Sequence, residues 1–112
     1  MVEPETLPTL VETSTFARRR PGVLDDESYR LAQLALASNP ELGARIPGGG
    51  GIRKIRWDVG GRGKRGGARI IYYWAVGPQL ILLLFIYGKS ERDDLSEKQL
   101  RKLSKLVKEE FR

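Results

Sequence analysis

The sequence predicts an α+β fold: an N-terminal helical pair packed on a three- or four-stranded, mostly antiparallel sheet, with a C-terminal helix. Three observations carry this reading. The runs "ARIIYYWAV" and "LILLLFIY" are rich in β-branched and aromatic residues and are separated by the turn pair Gly77-Pro78, which predicts an antiparallel hairpin. Near the C-terminus, Ser96 with Gln99 three positions on makes a capping box, and Leu100, Leu103, Val107 and Phe111 follow it on one helical stripe. Between residues 25 and 38 the same helical spacing recurs closer to the N-terminus.

Taken in order, residues 1–8 are an acidic, proline-containing, flexible lead to a single domain that spans 1–112. "TLVET" at 9–13 has short strand character, and Ser14 or Thr15 can cap a brief helix through "FARRR" that Pro21 and Gly22 end. A second helix starts from Asp25 or Asp26 as cap, with Glu27 in its first turn. Tyr29, Ala32 and Leu36, with Leu31 and Ala35, keep helical spacing as far as Asn39-Pro40. Nine glycines between residues 48 and 67 argue against helix there. Within that stretch "IRKIRW" sets Ile52, Lys54 and Arg56 against Arg53, Ile55 and Trp57, the alternation of a strand that presents cations. The run at 80–87 is apolar at nearly every position, so it belongs inside the sheet with helices over it.

A chain of 112 residues buries roughly two-thirds of its unfolded surface, enough for one modest core. Cysteine and histidine are both absent, which removes disulfides, thiolate and imidazole metal ligands, and imidazole acid–base chemistry. No cofactor or metal is expected. No apolar run approaches the roughly 20 residues of a spanning helix, and the N-terminus resembles neither a secretory signal nor a transit peptide. A cytoplasmic protein with no membrane association is the expectation.

Charge is the most informative quantity. Of 20 basic and 14 acidic residues, seven basic and one acidic fall within residues 53–69, and the 13 of each sign elsewhere cancel. The whole net charge of +6 is therefore collected in one short window, which predicts a local positive field facing a polyanion.

That window contains "GRGKRGG", whose first six letters fit G-x-G-x-x-G. A dinucleotide fingerprint needs a helix after its glycines and an acidic residue about 20 positions on. Here a strand follows, and apolar residues 82–86 occupy the later place. A P-loop fails as well, because Lys64 is followed by Arg65 rather than Ser or Thr. What survives is a glycine-rich hairpin tip carrying Arg62, Lys64 and Arg65, beside strands carrying Lys54, Arg56 and Arg69. Trp57, Tyr72, Tyr73, Trp74 and Tyr87 are interleaved with these cations, an arrangement that suits single-stranded RNA, although core packing is the better account of Tyr72 and Trp74 and an equal one of Tyr73 and Tyr87.

The run "SYRLAQLALASNPELGARIPGGGGIRKIRW", then "GRGKRGGARIIYYW", then "LLFIYGKSERDDLS" and the terminal amphipathic helix resemble the RelE/HigB class of toxins from bacterial toxin–antitoxin systems. The likeness is closest to a HigB-like subgroup with the pattern "GxRKxR…GKGKRGGxRxIYY…IYxKxExxDL". It implies a RelE-like fold and ribosome-dependent endoribonuclease cleavage of translated mRNA. It also implies a small neutralising antitoxin with a helix-turn-helix domain, operator DNA being reached only through that antitoxin. A non-catalytic basic RNA- or ribosome-binding module is the alternative. For cleavage by the RNA's own 2′ hydroxyl, Lys54 among its cationic neighbours is the expected base, and Arg56 and Arg69 the expected phosphate and transition-state ligands. Lys89 is the expected acid or clamp. Arg53, Arg62, Lys64, Arg65, Tyr73 and Tyr87 are the expected RNA-binding residues. Where the best-known RelE members carry an arginine and a later tyrosine after the last-strand lysine, this chain has Ser90 and, approximately, Ser96. Either Tyr87 or Tyr73 then stands in for that tyrosine, or this branch works without one.

Overall fold

The computed structural model describes residues 7–58, 67–92 and 94–111. Five strands, β1 (Thr9–Glu12), β2 (Ala44–Arg45), β3 (Ile52–Trp57), β4 (Ala68–Ala75) and β5 (Leu80–Gly88), form one sheet in the order β1-β5-β4-β3-β2. Only the β1–β5 pair is parallel. The helices are α1 (Ser14–Val23), α2 (Asp26–Ser38) and α3 (Glu97–Phe111).

Alternation along the strands divides the side chains between two cores. On one face Ile55, Ala68, Ile70, Tyr72, Ile81, Leu83 and Ile86 pack with Phe16, Leu24, Tyr29, Ala32 and Leu36 of the α1–α2 pair. On the other, Ile52, Ile71, Leu82, Leu84 and Tyr87 pack with Val107 and the partly buried Leu100, Leu103 and Phe111 of α3. A register shift opposite Ile71 and Tyr72 makes a bulge in β5 and puts Leu84 and Phe85 together with the α3 cluster.

The capping box forms both of its bonds: Gln99 N–H donates to Ser96 Oγ at 3.1 Å and Ser96 N–H to Gln99 Oε1 at 3.0 Å. Asp25 caps α2 through the Ser28 N–H, at 2.7 Å. At α1 the cap is Thr13, one residue before the two expected candidates. Its hydroxyl oxygen accepts from Phe16 N–H while donating to Leu84 O, which ties the helix start to β5.

Two expectations are corrected, the end of α1 and the number of strands, and the structure places one side chain whose burial the spacing left open. Pro21 and Gly22 do not end α1, which runs on to Val23. Leu24 is buried just beyond them and Arg20 Nη1 caps its carbonyl at 3.0 Å, so tertiary packing holds the turn that proline disfavours. Leu31 is exposed, because the buried stripe of α2 is Tyr29, Ala32 and Leu36 alone. The sheet has a fifth strand, β2, only two residues long and so beneath any periodicity. It is held next to β3 where Gly43 N–H donates to the Tyr72 hydroxyl at 2.8 Å, and that hydroxyl donates to Pro40 O at 2.7 Å. The β2–β3 connection needs glycine at Gly51, whose φ of 104° is joined to a ring contact in which a Cβ would lie 3.0 Å from Tyr73.

None of the described helices is long and apolar enough to cross a membrane.

Candidate RNA-cleaving site

The α3 side of the sheet carries a rung of three polar side chains across β3, β4 and β5. Arg56 lies opposite Arg69, and Arg69 opposite Tyr87. Like charges in direct cross-strand register destabilise a sheet, so this pairing is a local cost that packing does not explain. Two residues from Arg56 on the same face of β3 is Lys54, whose Nζ donates to Asp94 Oδ1 at 3.0 Å. Strand alternation thus brings Lys54, Arg56 and Arg69 together.

Each member sits in a different environment. Arg56 is exposed. Arg69 is only 6% exposed, and among the described residues its one hydrogen bond is a long one from Nη1 to Ala68 O, 3.5 Å. Its guanidinium lies against Gly67, where a Cβ would come within 2.7 Å of Nη1 and 3.4 Å of Asp58 Oδ1. Glycine at 67 is therefore what lets this cation fold back beside the strand end. Lys89 is exposed at the same end, its backbone N–H donating to Gly67 O at 3.0 Å. Tyr87 is fully buried and its hydroxyl has no hydrogen-bond partner among the described residues. Burial first, then the Asp94 carboxylate, push that phenol up against the lowering effect of Arg69 and Arg92.

Beside its expected cationic neighbours Lys54 also meets a carboxylate, Asp94. That carboxylate is held below its ordinary value of 3.8 chiefly by the hydrogen bond from Lys54, with the charges of Lys54 and Arg69 adding to it. A carboxyl whose folded value is depressed adds stability above its unfolded value and loses it as pH falls through the folded one. In an NMR titration Asp94 should accordingly reach its midpoint below 3.8 in the wild type and move up toward 3.8 in Lys54→Ala. An unmoved midpoint would show that the pair does not persist in solution.

The remaining expected site residues fall elsewhere. Arg53 points to the opposite face, where Nη1 donates to Gly43 O at 2.7 Å and Glu41 O at 3.3 Å, so it fastens the β2 loop. Tyr73 is half-buried and stacks on Phe111 with ring centroids 5.5 Å apart. It lines an open cleft of about 390 Å³ with Arg45, Gly50, Gly51 and Trp74. It lies four positions from Arg69 along β4, roughly 13 Å of strand. Tyr87, being buried, offers no ring face to a base in this arrangement. Arg62, Lys64 and Arg65 lie outside the described residues. Trp57 and Trp74 pack on the α1–α2 core.

Two neighbours escaped the sequence reading. Arg92 lies over the Phe85 and Tyr87 rings, 5.5 and 5.8 Å from their centroids, and adds a cation beside the rung. Asp94 is the second aspartate of "LLFIYGKSERDDLS", but its partner is 40 residues away, a pairing that no local spacing signals. The segment before it is fastened to α1, where Arg19 pairs with Glu91 and its Nε donates to Ile86 O at 2.8 Å. Among the described residues no group of three carboxylates is gathered where it could hold a metal ion.

Lysine and arginine set around one small patch of sheet can bind a phosphodiester and move a proton at it without a metal or an imidazole. A family model described as the RelE toxin of the RelE/RelB toxin–antitoxin system matches residues 12–112. The matched span takes in all but the first residues of β1 and the whole of the Lys54, Arg56 and Arg69 face, and the chain belongs to the RelE toxin family.

Proposed function

We propose that this toxin is a ribosome-dependent endoribonuclease of the HigB-like branch, cutting translated mRNA in the cytoplasm and so halting translation. The observation that carries the reading is the cross-strand pair Arg56–Arg69 with Lys54 beside it, a gathering of like charge that the fold alone does not require. In the proposed reaction the 2′ hydroxyl adds to the adjacent phosphorus, its proton leaving to water. The 5′ oxygen departs with a proton from Lys54, giving a 2′,3′-cyclic phosphate on one fragment and a 5′ hydroxyl on the other. Arg69 and Arg56 hold the equatorial oxygens of the phosphorane, where fixed charge counts most because it is greatest as the transition state forms. Lys54 serves as acid rather than base in this scheme because its ammonium already donates to Asp94. Lys89 clamps the backbone phosphate, and Arg62, Lys64 and Arg65 hold mRNA or ribosomal RNA.

The partner that neutralises the toxin is a small antitoxin carrying a helix-turn-helix domain, through which alone the pair reaches operator DNA. The test is a cell-free translation reaction with mRNA ends mapped by primer extension. New ends inside the translated codons, dependent on ribosomes, are expected. Arrest of translation with intact message would overturn the nuclease and leave a non-catalytic ribosome- or RNA-binding module in its place.

A further inference from the structure

Among the described residues, one acidic side chain is in direct contact with a cation of the proposed site. Asp94 Oδ1 accepts from Lys54 Nζ at 3.0 Å, with the lysine side chain 27% exposed and the aspartate 70%. The carboxylate is the more exposed partner, so it meets the lysine from the solvent side, the direction from which RNA must come. A carboxylate and a phosphodiester make the same demand on an ammonium, anionic oxygens at hydrogen-bond distance. They compete for it.

We infer that Asp94 gates Lys54: in the RNA-free toxin its carboxylate occupies the place of the scissile phosphate, and entry of that phosphate displaces it. The inference rests on the nuclease reading for the identity of the incoming anion, but not for the exchange itself. An ion pair this exposed is weak enough to be traded for another. The trade lowers affinity for any RNA that nothing else holds in place, so binding energy gathered elsewhere on the ligand must drive the exchange. Asp94 is on this account a positioning residue. It holds the ammonium at the site before substrate arrives and is absent from the reacting set afterwards.

The experiment measures equilibrium binding to ribosomes programmed with a message whose coding triplets are 2′-deoxy, which lack the attacking hydroxyl. Wild type, Asp94→Asn, Lys54→Ala and the double variant are compared, with Asp58→Asn as a control that removes the same charge near Arg69. The gate predicts roughly fivefold tighter binding for Asp94→Asn, the scale of an exposed ion pair that no longer has to be broken. In the Lys54→Ala background the same change should do no more than Asp58→Asn does. Equal tightening in both backgrounds would reduce the effect to a general field and overturn the gate, as would unchanged or weaker binding. On a natural message Asp94→Asn should still cleave. Tight binding with cleavage lost would place Asp94 in the chemistry and also overturn the gate. If the wild type leaves natural message intact, the nuclease reading falls while the coupling on the deoxy message still decides the gate. Absence of wild-type binding sinks both.

Discussion

Arg69→Met is expected to lose cleavage by roughly a hundred- to a thousandfold while melting no lower than the wild type. The two halves of this result have one cause. Arg69 is buried, faces Arg56 across the strand pair, and has no carboxylate within ion-pair distance among the described residues. A charge in that position costs desolvation that the more distant Asp94 carboxylate offsets only in part, and its replacement by an apolar side chain of similar length is commonly neutral or stabilising. The same isolation is what a phosphate ligand needs. A guanidinium held in a place of reduced water content, with no carboxylate paired directly to it among the described residues, acts more strongly on a developing phosphorane than an exposed one. Arg69→Lys should fall between, because it keeps the charge and loses the planar fork. Single-turnover cleavage on programmed ribosomes and a thermal melt of each variant check both halves. A melting point several degrees lower with cleavage intact would make Arg69 a structural residue and remove the centre of the site.

The difference between what could and could not be read in the sequence follows the range of the interactions. The two faces of β3 were legible, because period-2 alternation is local: Ile52, Lys54 and Arg56 do share a side. So were the β4–β5 hairpin around Gly77-Pro78 and the reciprocal Ser96–Gln99 cap. Proline's local veto on α1 failed because Leu24, three residues on, is buried in the core that the helical pair shares with β3, β4 and β5. Arg53 reads as one more cation in a basic run, yet sheet alternation turns it away from Lys54 and onto the carbonyls of Glu41 and Gly43. That a carboxylate joins the cations around Lys54 depends on where the chain returns after β5. Charge density pointed to the candidate site; the Lys54–Asp94 pair within it required the fold.

That pairing fixes the second large effect, at Lys54. Lys54→Ala is expected to lower cleavage by roughly a hundred- to ten-thousandfold, the usual range for a positioned proton-transfer group. Folding should change little, since the Lys54–Asp94 pair is exposed on the aspartate side and such pairs contribute about 1 kcal/mol at most. Loss of rate alone does not tell an acid from a base, so the leaving group is the variable to change. A message with sulfur in place of the bridging 5′ oxygen at the cleaved linkage departs as a thiolate, which needs no proton. If Lys54 protonates the 5′ oxygen, the sulfur substrate restores most of the rate to Lys54→Ala and gives the wild type little advantage over it. Were Lys54 the base for the 2′ hydroxyl, the variant would stay slow on both substrates, because the attacking group is the same in each. Lys54→Arg sharpens the reading further. Arginine keeps the positive charge that holds the phosphate but does not give up its proton near neutral pH, so this variant should bind like the wild type, cleave the oxygen substrate poorly and cleave the sulfur substrate well.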